Sequence, residues 1–556
     1  MRQGLWQAGS RRFYSPRQAL ALQEAGINEF VTPKDEGFHY AIKSAPHDLH
    51  IHEIAPCGTE LRLSELWTAQ SAATMSERPP GAVNVAGSGV KEHLHFRLYK
   101  EGLDTAQAIA WLSRCVGRPR NAFRFAGTKD RCACTVQAVS CSGLHPWDLQ
   151  QAVLHPEWPP MLFFSNLEMR PQGLGLGGLM GNRFDGVLRD IDLNLCGTTE
   201  GKATLESRFQ RVAKHGFANY FGLQRFGSQR IRSFHVGAAI LSKRFDDAVR
   251  LLLGDGSSLG QERYTSPSLA ADDISESTIW ESQRIFLETG DAASARKLMP
   301  KCQVIERSLL GALAEGLPAS EVLQQLPRQS LLLYVKSAQS LVYNYVLSQR
   351  LSQFGPDPVA TDLVLQPLLH GSSRPSVTEI QRTDTSSGSC HHMSDVVLAL
   401  PGSSVTYPGH MLAVYKSAAT ELLGLPLEVF HQPLPLNLSL RGAYRPVAVL
   451  PKGISWHGYN AREVDQALRM RGGKLLLSDV DRLLKAHCTA ETQGSSDCLH
   501  DWNLADSVKA DERYSGGTGK GLSGSILFSC QLPSSAYLTM AIREVMHRTP
   551  GVSKKP

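Results

Sequence analysis

Phe125-Ala126-Gly127-Thr128-Lys129-Asp130-Arg131 decides how the rest of this chain is read. The heptapeptide sits between two runs suited to extended backbone. Asn121 to Ala126 breaks at Gly127, and Cys132 to Ser142 is rich in Thr, Val and Cys. A strand–turn–strand is therefore expected, with Asp130 in the turn. A carboxylate flanked in sequence by Lys129 and Arg131 is expected to stay ionised. An ionised, accessible Asp serves as nucleophile or base. The same residue types also make an ordinary solvated turn, so the stretch by itself leaves both readings open.

Working outward, His93 to Tyr99 alternates, with Leu94, Phe96 and Leu98 facing one way and His95 and Arg97 the other, as a half-buried strand does. Asp104 or Thr105 caps a helix carrying Ile109, Leu112 and Val116, ended by Gly117 and Pro119. Phe184 to Ile191 reads as another strand, and Leu205, Phe209 and Val212 mark a helix that stops at Gly216. Strands and helices joined by short loops imply an α+β fold. Further on, Ala338 to Leu351 is helical, with Leu341, Val342, Tyr345 and Val346 on one stripe. Two stretches rich in Ser, Thr and Gly, 371–392 and 489–521, read as surface insertions. Near the end, Ile526, Phe528, Cys530 and Leu532 alternate as a strand; after Pro533, Ser534 or Ser535 caps a helix bearing Leu538, Ala541, Ile542 and Val545.

Composition narrows the function classes. The 556 residues allow two to four domains, and 42% hydrophobic with 20% charged residues is globular usage. No apolar run approaches the ~18 residues a membrane-crossing helix needs, so no membrane span is expected. The net charge of +6 permits an RNA or DNA partner without demanding one. The cysteines are scattered with no CxxC pair, which points to a reducing compartment and no standard zinc module. His487, Cys488, Cys498 and His500 match no common metal spacing. Gly173 to Gly178 lacks the dinucleotide spacing, and Lys520 is followed by Gly521 where a phosphate loop needs Ser or Thr. Neither a metal nor a nucleotide cofactor is expected.

Met1 to Gln23 contains no Asp or Glu but carries Arg2, Arg11, Arg12 and Arg17, with Ser10 and Ser15. That composition fits a mitochondrial transit peptide; a basic tail touching RNA, with a nuclear or cytoplasmic location, is the alternative.

Beyond the opening stretch, Thr135-Val136-Gln137 follows in place, and further segments come in order: Gly181-Asn182-Arg183-Phe184; His215 to Gly227 (His-Gly-Phe-Ala-Asn-Tyr-Phe-Gly-Leu-Gln-Arg-Phe-Gly); Gln339-Ser340 with Asn344; Leu440 to Pro446; and Leu532-Pro533-Ser534-Ser535-Ala536-Tyr537. Together they resemble the ordered signatures of the TruD family of RNA pseudouridine synthases, from about Gly37 to Arg548, and the polar insertions resemble its eukaryotic branch. Lys43, three residues before Pro46, sits where the family has a Lys. Leu49 and Ala218 depart from the usual Phe and Pro, and Cys132 and Cys134 follow the Asp where other residues are usual.

The resemblance implies isomerisation of uridine to pseudouridine in structured RNA (tRNA, rRNA or mRNA), with no cofactor. Asp130 would be the essential carboxylate. Lys43 and Lys129 would hold it charged or contact phosphate, although a solvated turn lysine remains an equal reading of Lys129. Asn182 would bond near Asp130 or the uracil edge. Phe184 would stack on the base, unless it is a core residue of its strand, and Tyr537 would cover the pocket. Asn219, Tyr220, Arg225 and Phe226 would build a junction between domains. The implied organisation is a basic N-terminal segment 1–35, a split pseudouridine synthase catalytic domain with a mixed or antiparallel sheet (36–214 and 448–556), and an α+β insertion domain 215–447, with RNA in a basic cleft between them. A competing role, from another class, is an RNA-binding assembly factor on a ribosome precursor that retains the fold. Which RNA is used and the oligomeric state are not legible.

Overall fold

A computed structural model describes residues 16–75, 92–192, 195–196, 198–227, 231–254, 274–365, 377–379, 391–470, 474–490 and 524–547. They divide into two units, one of Lys34–Lys214 with residues 450–547, the other of Pro16–Pro33 with His215–Val449. Each mixes strands and helices, so the architecture is α+β.

The first unit is built on a nine-stranded sheet. Seven strands come before His215: β1 (Ala41–Ile42), β2 (Leu49–Ile54), β3 (His93–Glu101), β4 (Phe123–Phe125), β5 (Cys134–Ser142), β6 (Leu162–Arg170) and β7 (Gly181–Ile191). Two follow the second unit: β14 (Lys452–Tyr459) and β15 (Gly524–Pro533). The spatial order is β14-β15-β7-β2-β5-β3-β6, with β1 on β7 and β4 on β5. Among the described residues only the central β2–β5 pair of this sheet is parallel, so the sheet is mixed. Because β15 pairs along the length of β7, chain from the far end of the sequence is part of the sheet's interior.

Side chains alternate across a strand, and the register sorts this sheet into two chemically different faces. On one face Leu94, Phe96 and Leu98 of β3 are at most 2% exposed and pack with Ala108, Ile109 and Leu112 of the helix Thr105–Cys115 and with Phe123, Val139 and Phe164. Each such side chain contributes about 1.5–3 kcal/mol on burial, which makes this a stiff floor. Asp104 accepts from Gln107 N while Gln107 Oε1 accepts from Asp104 N, a capping box worth about 1 kcal/mol to the helix start. The other face carries His50, His52, Arg183 and Asp185 beneath the helix Asp479–Ala490.

The second unit centres on the helix Arg328–Phe354, longer than its sequence stripe suggested. A four-stranded sheet runs in the order β10 (Val377–Glu379), β9 (Leu363–Leu365), β11 (Val396–Leu400), β12 (Ala443–Pro446), and β13 (Ala448–Val449) pairs with β8 (Phe217–Ala218). Among the described residues no helix is long and apolar enough to cross a membrane.

Three expectations need correction. The basic N-terminal segment does not run as one piece to residue 35. Pro16–Glu24 is a helix, and Leu22, Ala25 and Ile27 are buried within the second unit. The C-terminal helix Leu538–Met546 starts at Tyr537 with no side-chain cap, and Ser535 is taken up by a left-handed turn (φ 74°). Asn219, Tyr220, Arg225 and Phe226 build the interior of the second unit. Arg445 donates to Asn219 Oδ1 (2.7 Å), Tyr220 bonds Ser348 (2.9 Å), Arg225 donates to Ser340 (3.3 Å), and Phe226 is 1% exposed. Of the polar insertions, β10 lies in the first, and most of both falls outside the described residues.

Candidate active site

The turn predicted between β4 and β5 crosses the stiff face of the first sheet and is tied down residue by residue. Gln137 Nε2 donates to Gly127 O (3.1 Å). Thr105 Oγ1 accepts from Lys129 N (2.9 Å) and donates to Gln137 Oε1 (3.0 Å). Gly177 N donates to Ala126 O (2.7 Å). The buried Lys100 ammonium donates to the carbonyls of Leu103 (2.7 Å), Asp130 (2.8 Å) and Lys129 (3.4 Å). Backbone groups denied to water are thereby satisfied, and the loop is fixed without help from the Asp130 side chain.

That side chain is about one-third exposed, at 34%, and Lys43 Nζ lies 2.6 Å from its Oδ2. Lys43 follows β1 in a left-handed conformation (φ 57°), unusual for a lysine. The chain turns there into the segment Pro46–Asp48, pinned by Arg189 on the Asp48 carboxylate (2.6 Å). A carboxylate paired with one ammonium and still open to solvent accepts a proton or attacks an electrophilic carbon.

Lys129 does not share this role. Its side chain is 4% exposed and its Nζ lies 2.6 Å from the buried Glu53 Oε2, whose other oxygen accepts from Ala138 N (3.3 Å). The lysine beside the Asp in sequence is consumed inside the protein, and the pairing lysine comes from 87 residues upstream.

Asn182 and Phe184 lie on this same sheet face. Register aligns Asn182 with Glu53 and Leu532, and Phe184 with Ile51 and Cys530. Among the described residues the buried Asn182 Oδ1 has no hydrogen-bond partner, an acceptor awaiting a donor. Phe184 is 7% exposed, so its side chain lies mostly in the core. The glycine before Asn182 is required by crowding, since a Cβ on Gly181 would stand 2.1 Å from Leu532 O. Tyr537, half-buried, ends the turn after β15 that Ser534 N ties to Met180 O (3.1 Å). The structure thus brings Lys43 to Asp130, sets Asn182 beside Glu53, and places Tyr537 beyond the β15 end that pairs with Gly181.

Sequence reading missed Glu53, Lys100 and Thr105 as parts of this site. For Lys100 a signal existed: the buried stripe Leu94, Phe96, Leu98 continues two residues on into a lysine, where the pattern asks for an apolar residue. Among the described residues no group of three or more His, Cys, Asp or Glu is placed to hold a metal. The side chains of His487 and Cys488, and all of Cys498 and His500, lie outside the described residues.

Comparison with known proteins bears on this geometry. The family model for tRNA pseudouridine synthase D (TruD) matches residues 24–471. The Mus musculus protein named pseudouridylate synthase 7 homolog is 31% identical over 462 residues, covering 82% of this chain and 59% of that protein. The Schizosaccharomyces pombe protein named multisubstrate pseudouridine synthase 7 is 28% identical over 484 residues, covering 82% and 62%. The chain therefore spans about three-fifths of the length of these curated relatives. A solved Methanosarcina mazei structure, described as a tRNA pseudouridine synthase D, superposes with a TM-score of 0.55 at 20% identity over 95% of this chain and 98% of that one, a likeness of fold. With a family model matched over most of its length, the chain belongs to the tRNA pseudouridine synthase D (TruD) family.

Proposed function

We propose that this chain isomerises uridine to pseudouridine within structured RNA, with Asp130 as the essential carboxylate. The observation that carries the reading is the Lys43–Asp130 pair, open to solvent on a rigid loop, in a chain of this family. In the isomerisation the bond from ribose C1′ to uracil N1 breaks and one from C1′ to C5 forms. The C5 proton leaves and N1 gains a proton, so atoms and electrons balance within the nucleotide. A carboxylate serves attack on C1′, attack on C6 or removal of the ribose 2′ proton, and the Lys43 ammonium, 2.6 Å from Asp130 Oδ2, orients it in each case.

The target base leaves its stack at a cost of a few kcal/mol. Contact with the Phe184 side chain offsets part of it, a full base–aromatic stack being worth ~1–3 kcal/mol. The unpartnered Asn182 Oδ1 accepts an N–H of the uracil, and Tyr537 closes over the base. Met1–Ser15, acid-free and bearing Arg2, Arg11 and Arg12, directs the chain to mitochondria. A reporter carrying only those residues should enter the organelle, and a diffuse or nuclear reporter overturns this part.

The test of activity uses the purified full chain on RNA pooled from cells that lack it. Digested nucleosides are scored for new pseudouridine, with Asp130→Asn alongside. Product with the wild type and none with the variant is expected. RNA bound but unmodified by the wild type overturns the reading and leaves a binding role, as on a ribosome precursor.

A further inference from the structure

The isomerisation reading assigns no part to Lys100, yet its ammonium is the most heavily engaged group under the motif loop. Lys100 is 0% exposed. It stands on β3 opposite Thr135 of β5 and Leu162 of β6, on the same sheet face as Phe184 and Asn182. Its three contacts are all backbone carbonyls, and two belong to Lys129 and Asp130 themselves. An uncompensated buried ammonium costs several kcal/mol, so a lysine in an otherwise apolar stripe needs acceptors. Conversely, the loop's inward carbonyls need a donor that a leucine or phenylalanine cannot supply. Lys129 N is fixed by Thr105 and the Lys129 side chain by Glu53. The Asp130 carbonyl, which sets where the carboxylate starts, is held by Lys100.

We propose that Lys100 is a positioning residue, which fixes the backbone at Lys129 and Asp130 so that the Asp130 carboxylate meets Lys43 and the substrate in one geometry. The proposal rests on the isomerisation reading, and Lys100 itself touches no substrate. Burial pushes its ammonium down to about 8, against the attraction of Asp130 and Asp104, while Lys129 lowers it further and Cys134 raises it.

The test compares wild type, Lys100→Met and Asp130→Asn in the full chain. Three quantities are read: single-turnover pseudouridine formation, RNA affinity, and amide hydrogen exchange of the loop at 127–132. A misplacement near 1 Å costs about 100-fold in rate. Lys100→Met should therefore lose about 100-fold in single-turnover rate with RNA affinity within about threefold, and its loop amides should exchange at least about tenfold faster. Wild-type rate and wild-type exchange in Lys100→Met overturn the proposal. Should wild type itself make no pseudouridine, the functional reading fails, and the exchange measurement still decides whether Lys100 holds the loop. Should Lys100→Met fail to fold, Lys100→Gln, which keeps an N–H donor on a side chain too short to reach all three carbonyls, takes its place. Its loop amides at 127–132 should exchange about tenfold faster than in wild type relative to the β3 and β5 amides, and wild-type exchange there overturns the proposal.

Discussion

Lys43 and Asp130, 87 residues apart in sequence, meet at 2.6 Å with side chains 18% and 34% exposed. A pair this open is worth about 0–1 kcal/mol to the fold, so chemistry and stability should separate cleanly there. Asp130→Asn keeps the size of the side chain and removes its charge. Isomerisation should fall by several orders of magnitude, since no second carboxylate is present in the motif loop to take over. RNA affinity should hold or rise, because phosphate contacts dominate it. The denaturation midpoint should move little. Single-turnover rates, filter binding and urea unfolding of the same preparation check all three, and undiminished modification removes Asp130 from the reaction.

Lys129 should behave in the opposite way. Its partner Glu53 is 2% exposed at the side chain, and Lys129→Met leaves that carboxylate buried without its cation. Breaking such a pair costs about 3–5 kcal/mol. Adding Glu53→Leu should return much of that loss, because a buried pair replaced by apolar residues is often near neutral. A urea double-mutant cycle measures this. A phosphate-contacting lysine would instead lower the salt slope of RNA binding by about 0.7 when removed, and for Lys129→Met that slope should stay at its wild-type value.

The contrast between these two lysines shows what the sequence made legible. The strands β3, β5, β7 and β15 and the helices after Asp104 and Pro533 could be read from local patterning, because alternation, β-branched composition or a helical apolar stripe marks each of them. The strand β2, central in the sheet, could not. Leu49–Ile54 is buried along its whole length, but its inward polar residues His50, His52 and Glu53 look like a solvated strand face until their partners are known. Those partners, Asp479, Asp185 and Lys129, lie far away in sequence. Asp130 was found because a motif carries it. Lys100 and Glu53 were missed because long-range pairing, which local patterning does not encode, gives them their role.

The polar face of the same sheet predicts acid sensitivity. Burial pushes the His50 imidazole down to about 3, helped by the charge of His52. The folded chain then binds fewer protons than the unfolded chain between about pH 6.5 and pH 3, so stability falls as pH drops through that window, by up to about 1.4 kcal/mol per pH unit. Burial raises the Asp479 carboxyl, but the His52 hydrogen bond and the charges of His52 and Arg62 outweigh it and hold it below the carboxylate range. Its contribution is present above its unfolded pKa and is lost as pH falls further. Urea midpoints measured from about pH 7 to about pH 4.5 should decline, and His50→Gln should flatten the decline by up to the amount given. An unchanged slope in the variant assigns the sensitivity to other groups, such as His547, which burial also pushes down, to about 4.

The Gln339-Ser340-x-x-x-Asn344 helix anchors a segment from the other end of the second unit's sequence. Asn344 is 0% exposed. Its Nδ2 donates to Ala25 O and Phe221 O, both at 2.9 Å, and its Oδ1 accepts from Phe221 N (2.8 Å). One turn on, Ser348 donates to Gly26 O (2.6 Å) and accepts from Asn28 N (3.2 Å). Gly26 has φ 70°, and a Cβ there would lie 2.8 Å from Tyr345 N, so this position excludes any other residue twice over. The motif asparagine is thus a strap for residues 16–33 rather than a site group. Asn344→Leu strands one N–H and two carbonyls at roughly 1–3 kcal/mol each, and Gly26→Ala should be of similar severity. Both should speed amide exchange across 21–33 and lower the urea midpoint. Deletion through Ser15 should leave the midpoint in place, whereas deletion through Pro33 should lower it as far as Asn344→Leu does. If the longer deletion is tolerated as well as the shorter, the strap contributes nothing and a leader is free to extend to residue 33. If only the shorter is tolerated, any cleavage of a leader has to stop before the helix Pro16–Glu24.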